Sequence, residues 1–375
     1  MDKFLHWLNI WKRGFKFRRA ELMSPNIQIS PEIFPLVYKD IETGTFVAEI
    51  LVPPIAQGDS KQVQVLLDSN IVKLISDKEG GLLSKIGWLS GRDSILSINP
   101  SVAFVEQFLS NPDNVQLRMN EFEDQLVPIG VYEKGFSDKF YRLLNERQDD
   151  LRRELGTLFC YVALIFHWER NLRNDTESIN QWIQLFSEDI PRLQVFYLLG
   201  GLFIISGVCT NLCLKNSNKR IISFRKDFCR VREKEQNNLS RQLRNRSFDL
   251  LFFYQAPNLL HQSHKGYKSR ILLLTKDKFL GELLCQLFCW SEVEEKSLWS
   301  LKFKSEKLLH ENEKSSSLTE SLMISRSQGR PDSNEIMVKK RLSNLINLTL
   351  KTVDSDMREA LLVSLKEFNI SYDEG

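Results

Sequence analysis

The chain has 375 residues, 42% of them hydrophobic and 26% charged, with 51 Lys and Arg against 48 Asp and Glu. That composition excludes a wholly disordered chain, a collagen-like repeat and a small disulfide-stapled domain, and the length suggests two or three domain-sized units. A net charge of +3 names no partner; the six cysteines (160, 209, 213, 229, 285 and 289) form no C-x-x-C pair and read as reduced thiols rather than a zinc site.

Residues 1–20 mix six Lys and Arg with Trp7, Leu8 and Trp11. Charges break the apolar run too often for a secretory signal, so a cytoplasmic protein is expected. The segment reads as a basic amphipathic helix, packed on the body or laid on an anionic surface. Pro25, Pro31 and Pro35 mark a connector, and the next two β-rich runs flank Gly44 as a hairpin. Together these make an N-terminal extension over 1–59.

From Val63, VQVLL is a short apolar strand closed by Asp68-Ser69-Asn70, with Ile71, Leu74 and Ile75 following at helical spacing. An acid at the carboxyl end of a buried parallel strand faces the crevice where α/β sheets bind ligands. Ser69 and Asn70 can cap or orient that acid. Pro100 opens a helix that carries Glu106 about two turns in.

A mostly helical insertion is expected over 131–245. Inside it, Leu193–Leu214 is a run of 22 uncharged residues. Its length fits a bilayer span, but Gly200, Gly201, Gly207, Gln194 and Asn211 dilute it, and a buried helix is the favoured reading. Residues 215–246 then hold eleven Lys and Arg against three Asp and Glu, a local excess of +8. Lys219, Arg220, Arg225, Lys226 and Arg230, interleaved with Phe224 and Phe228, suit a phosphate backbone. The bland alternative is a solvated helix face.

Asp249 heads the apolar run LLFFYQA. Ile271–Leu274 forms a second apolar strand, closed by Thr275-Lys276-Asp277. Residues 301–334 are polar and rich in Ser, Glu and Lys, as a flexible linker is. The tail, 335–375, reads as two helices, with Ser355 and Asp356 able to cap the second. Walker, G-x-G-x-x-G, G-x-S-x-G and H-E-x-x-H patterns do not occur, which removes support for kinases, dinucleotide enzymes, serine hydrolases and zincins.

Acids brought together from separate segments repel and raise one another's pKa unless a cation neutralises them. Hard divalent ions prefer such oxygen ligands. The segments LLDSNIVKLI, PSVAFVEQF, SFDLLFFYQA and ILLLTKDKFL, in that order, resemble the signature segments of PIN-domain ribonucleases. The resemblance implies a three-layer α/β/α sandwich with a parallel sheet, split into 60–130 and 246–300 around the helical insertion and followed by the helical tail. It also implies an endoribonuclease dependent on Mg²⁺ or Mn²⁺, with Asp68, Glu106, Asp249 and Asp277 as catalytic and metal-binding acids. Asn70 and Thr275 would orient them. The separation of Glu106 from Asp249 is longer than the family pattern, and Asp227 is an alternative third acid. The expected substrate is RNA or DNA, and the expected role a toxin or defence effector, with an antitoxin or regulatory protein held by the helical parts. The competing reading is a non-catalytic PIN-like scaffold or a peripheral-membrane interaction protein.

Overall fold

A computed structural model describes residues 27–29, 37–40, 45–49, 62–76, 95–171, 177–186, 189–191, 193–215, 218–230, 239–263, 270–277, 279–284, 287–293, 298–310, 312–326 and 335–373. In chain order these form β1 (Ile27–Ile29), β2 (Val37–Asp40), β3 (Phe46–Glu49), β4 (Gln62–Leu67), α1 (Ser69–Ser76), β5 (Ile95–Asn99), α2 (Ser101–Ser110), α3 (Pro112–Leu126) and α4 (Phe136–Glu146). There follow α5 (Gln148–Asn171), α6 (Glu177–Leu185), α7 (Gln194–Val208), β6 (Cys213–Leu214), α8 (Ile221–Cys229) and α9 (Leu239–Ser263). The remainder comprises β7 (Arg270–Thr275), a π turn (Leu280–Leu284), β8 (Phe288–Val293), β9 (Leu298–Phe303), β10 (Leu308–Leu309), α10 (Glu313–Arg326), α11 (Glu335–Thr352) and α12 (Ser355–Glu367). The basic segment 1–20 lies outside the described residues.

The chain is α/β and divides into two compact units, one built from 1–147 and 252–302, the other from 148–251 and 303–375. The first holds a six-stranded sheet of order β1-β2-β3-β7-β4-β5. The expected hairpin is present as β2–β3, with Val37 opposite Ala48. β3 runs antiparallel to β7, whereas β7, β4 and β5 are mutually parallel. Val65, Leu66 and Leu67 on β4 and Leu272, Leu273 and Leu274 on β7 are all buried. Consecutive buried residues mean that both faces of these strands are covered, as in the interior of a parallel sheet. Helix α1 turns Ile71, Val72, Leu74 and Ile75 inward and leaves Lys73 exposed.

The second unit is helical. Its central helix, α7, has every residue from Val195 to Gly207 buried. It packs against α5, α6, α8 and α10. A Cβ added to Gly200 would lie 2.2 Å from the Trp182 ring, and one on Gly201 would lie 2.5 Å from Leu322. The two glycines therefore let α6 and α10 come close to the α7 backbone. The uncharged run thus becomes a 15-residue core helix followed by β6. Among the described residues no helix is long and apolar enough to cross a membrane.

Two expectations are corrected here. The flexible linker over 301–334 contains α10, whose Ser315, Thr319 and Leu322 are buried at helical spacing. Leu322 seats where Gly201 leaves the α7 backbone bare. The tail forms the two expected helices, and α11 and α12 pack on α5 within the same unit. Finally, the cap of α12 is Asp354, whose Oδ1 accepts the Met357 N–H at 2.9 Å. The four described cysteines, 160, 209, 213 and 229, are free thiols.

Candidate active site

Parallel register carries three chain segments to one edge of the first unit. Leu67 pairs with Leu274, and Leu66 with Asn99. One step further along, Asp68 and Thr275 face each other at the carboxyl ends of β4 and β7. The Asp68 N–H donates to the Leu274 carbonyl at 3.0 Å, and the Thr275 hydroxyl donates to Asp68 Oδ2 at 2.8 Å. Asp68 is 6% exposed and Thr275 wholly buried. Thr275 Oγ1 also accepts the Asp277 N–H at 2.9 Å. Asp277 Oδ1 in turn accepts the Leu280 N–H at 2.9 Å and so starts the π turn. A single hydroxyl therefore ties the strand acid to the loop acid.

Glu106 arrives from the third segment. At the end of β5, Asn99 Oδ1 accepts the Ser101 N–H at 3.0 Å and sets the start of α2. Glu106 then stands within electrostatic reach of Asp68. Burial pushes its carboxyl up to about 7, and the Asp68 charge adds to the rise, while a hydrogen bond from Ser69 opposes it. Burial likewise raises Asp68, the Asp277 charge raises it further, and the Thr275 hydrogen bond works the other way. The Ser69 hydroxyl donates to Asp68 Oδ1 at 3.3 Å. Two acids that cling to protons in a common burial site, with no ion-paired cation among the described residues, form a centre of unbalanced negative charge once ionised. As the side chains stand, no three His, Cys, Asp or Glu among the described residues are grouped to share a metal ion.

Asp68, Glu106, Thr275 and Asp277 are thus in one neighbourhood of the first unit. Asn70 is exposed on α1, and the orienting bond comes from Ser69 instead. Asp249 does not head a helix. It sits inside α9, in the second unit, paired with Arg246 at 3.1 Å. Its alternative, Asp227, is exposed on α8 of the same unit.

The basic stretch divides in two. Arg225 is only 8% exposed; its Nε lies 2.6 Å from Glu169 Oε2, and its Nη1 donates to the Phe203 carbonyl at 3.2 Å. Phe224 and Phe228 are buried beside it. These three residues are core, so their expected place among phosphate contacts is corrected. Arg220, Lys226 and Arg230 are exposed and Lys219 is half-buried.

The residue pattern alone gave no sign of an open pocket of about 200 Å³ at the corner between α2 and α3, lined by Glu106, Gln107, Ser110, Asn111, Asn114 and Arg118 among others. The Asn111-Pro112 dipeptide marks that corner, since proline suits the first position of a helix. No family model, curated protein or solved structure matches the chain.

Proposed function

We propose that the chain is a PIN-like nuclease that hydrolyses phosphodiester bonds of RNA with Mg²⁺ or Mn²⁺, as an endoribonuclease of the toxin or defence-effector type. The observation that carries this reading is a chain of charge across three segments, in which the Asp277 charge raises Asp68 and the Asp68 charge raises Glu106. The donor set suits the ion: all are hard carboxylate oxygens, Asp68 is buried and the other two half-buried, and repulsion among them is relieved by a divalent cation.

In this scheme Asp68, Glu106 and Asp277 hold the metal, and Thr275 fixes the rotamer of Asp68. A metal held there supplies an activated water and charge neutralisation for in-line displacement at phosphorus. The exposed cations Arg220, Lys226 and Arg230 hold the phosphate backbone through contacts that read no sequence.

The test is cleavage of total RNA with Mn²⁺ and with EDTA, using the parent chain and Asp68→Asn. Cleavage that needs Mn²⁺ and vanishes in Asp68→Asn supports the nuclease. Equal, metal-independent turnover by both proteins would remove Asp68 and the metal from the reaction, and turnover by neither would leave the non-catalytic scaffold as the reading.

A further inference from the structure

The Asp277 charge acts on Asp68 and the Asp68 charge on Glu106, so the three acids stand in a row with Asp68 in the middle. A cation adjoins each end of that row. At one end it is Lys276, exposed between Thr275 and Asp277. The Asp277 N–H donates to Thr275 Oγ1 at 2.9 Å, and the same hydroxyl donates to Asp68. That turn holds Thr275 inward and leaves the side chain between the two residues in solvent. At the other end it is Arg118. The open α2–α3 pocket has one wall from α2, carrying Glu106, and one from α3, carrying the exposed Arg118.

Neither cation is spent inside the protein. Among the described residues neither has an ion pair, and the charges that act on Asp68 and Glu106 are those of other acids. By contrast Lys139, exposed on α4 of the same unit, is held by Glu133 at 3.0 Å. A nucleic-acid strand carries a charge at every phosphate, so a strand whose scissile phosphate lies over the acids sends its neighbours past both ends of the row. Bare carboxylates repel those neighbours, and Lys and Arg hold them. Taken with the proposed nuclease reading, on which it rests, we infer that the row is a substrate track: a single RNA strand crosses it with one flanking phosphate on Lys276 and the other on Arg118. Both contacts meet backbone charge and no base, so they set the register of the strand without sequence preference. They are separate from the α8 cations, which belong to the second unit.

The probe is a short fluorescent oligouridylate, titrated into the full chain in EDTA over a range of salt, so that binding is read without cleavage. Lys276→Ala and Arg118→Ala should each weaken binding several-fold at low salt. Each should also make the salt slope shallower by about 0.7, the value for one phosphate of a single strand, and the double variant by about 1.4. Lys139→Ala, whose cation is already paired, should keep the parent slope. All three positions are exposed, so melting temperatures should match the parent, and a flattened slope then belongs to the contact and not to the fold. No binding by the parent chain, an unchanged slope in either single variant, or an equal change in Lys139→Ala would overturn the track. Manganese-dependent RNA cleavage, measured separately, distinguishes the two readings. Cleavage with unaltered slopes rejects the track and keeps the nuclease; flattened slopes without cleavage keep an RNA-binding row and reject the nuclease.

Discussion

The hydroxyl of Thr275 and the carboxylate of Asp68, 207 positions apart in the chain, meet at 2.8 Å at the buried carboxyl ends of β7 and β4. This bond depends on tertiary register and on nothing local. Thr275→Val keeps the shape and removes the donor. It leaves Asp68 Oδ2 and the Asp277 N–H each short of a partner, so a loss of about 1–3 kcal/mol is expected. Metal-dependent cleavage should fall as well, because Asp68 would keep its proton to higher pH. Thr275→Ser should recover most of both. Chemical denaturation and a cleavage assay on the three proteins measure it, and a silent Thr275→Val would remove Thr275 from the site.

Glu106 makes stability depend on pH with a definite sign. Its carboxyl ordinarily titrates at 4.5 and titrates at about 7 in the folded chain. Between those values the native state binds the extra proton, so stability falls as pH rises from about 4.5 to about 7. Asp68, raised in the same direction, adds to the fall. Glu106→Gln should flatten the profile and gain about 1–3 kcal/mol at pH 8. Protons and a divalent cation would compete for the same oxygens, so Mn²⁺ should raise the melting temperature more at pH 8 than at pH 6. Melting curves across pH with and without Mn²⁺ test both statements.

Charge reversal separates the two kinds of arginine on α8. Arg225→Glu would set a buried negative charge against half-buried Glu169, and leaving a buried charge without its partner costs up to about 3–5 kcal/mol; the expected result is an unfolded or poorly expressed chain. Lys226→Glu with Arg230→Glu should leave the melting temperature nearly unchanged. That double variant should bind RNA more weakly for every sequence and with a shallower salt slope, by roughly one for each phosphate no longer neutralised. Unaltered salt dependence would make these two residues a solvated face only.

The glycines of α7 give a stability test independent of chemistry. Alanine favours a helix over glycine by up to about 1 kcal/mol, yet a methyl on Gly200 would overlap a rigid indole. Gly200→Ala should therefore destabilise, by about 1–3 kcal/mol for overpacking. Gly201→Ala meets the branched end of Leu322, which can turn aside, and should cost less. Denaturant midpoints of the two variants rank them, and the reverse order would contradict this packing.

Much of the first unit was legible because its signals are local. Val63–Leu67 and Ile271–Leu274 are apolar runs with an acid or hydroxyl at the end, and the order of strand, acid and helix is written out in full. Glu106 was legible from the proline that opens its helix. Arg225 was misread because composition counts charges without their direction. Its position beside Phe224, on the stripe of Ile221, Phe224 and Phe228, carried the information. Asp249 heads the apolar run in sequence but lies inside a helix, because α9 begins ten residues before it, among arginines that resemble a loop. Helix α10 was hidden for a different reason: its Leu322 seats against Gly201, far away in the chain, which no local pattern announces.

The interleaving of the two units has a bearing on synthesis. On the ribosome, β4 and β5 emerge long before β7, the strand that belongs between β3 and β4. Until residue 277 has been made, Asp68 lacks both Thr275 and Asp277, and the sheet has a gap at its centre. The helical unit waits longer still, because α5 must stay bare until α11 and α12 follow. A nascent chain stopped anywhere before β7 thus carries no assembled acid cluster. Ribosome-bound chains stalled before and after residue 277 would show this directly, by protease resistance of the β4–β5 region appearing only in the longer one.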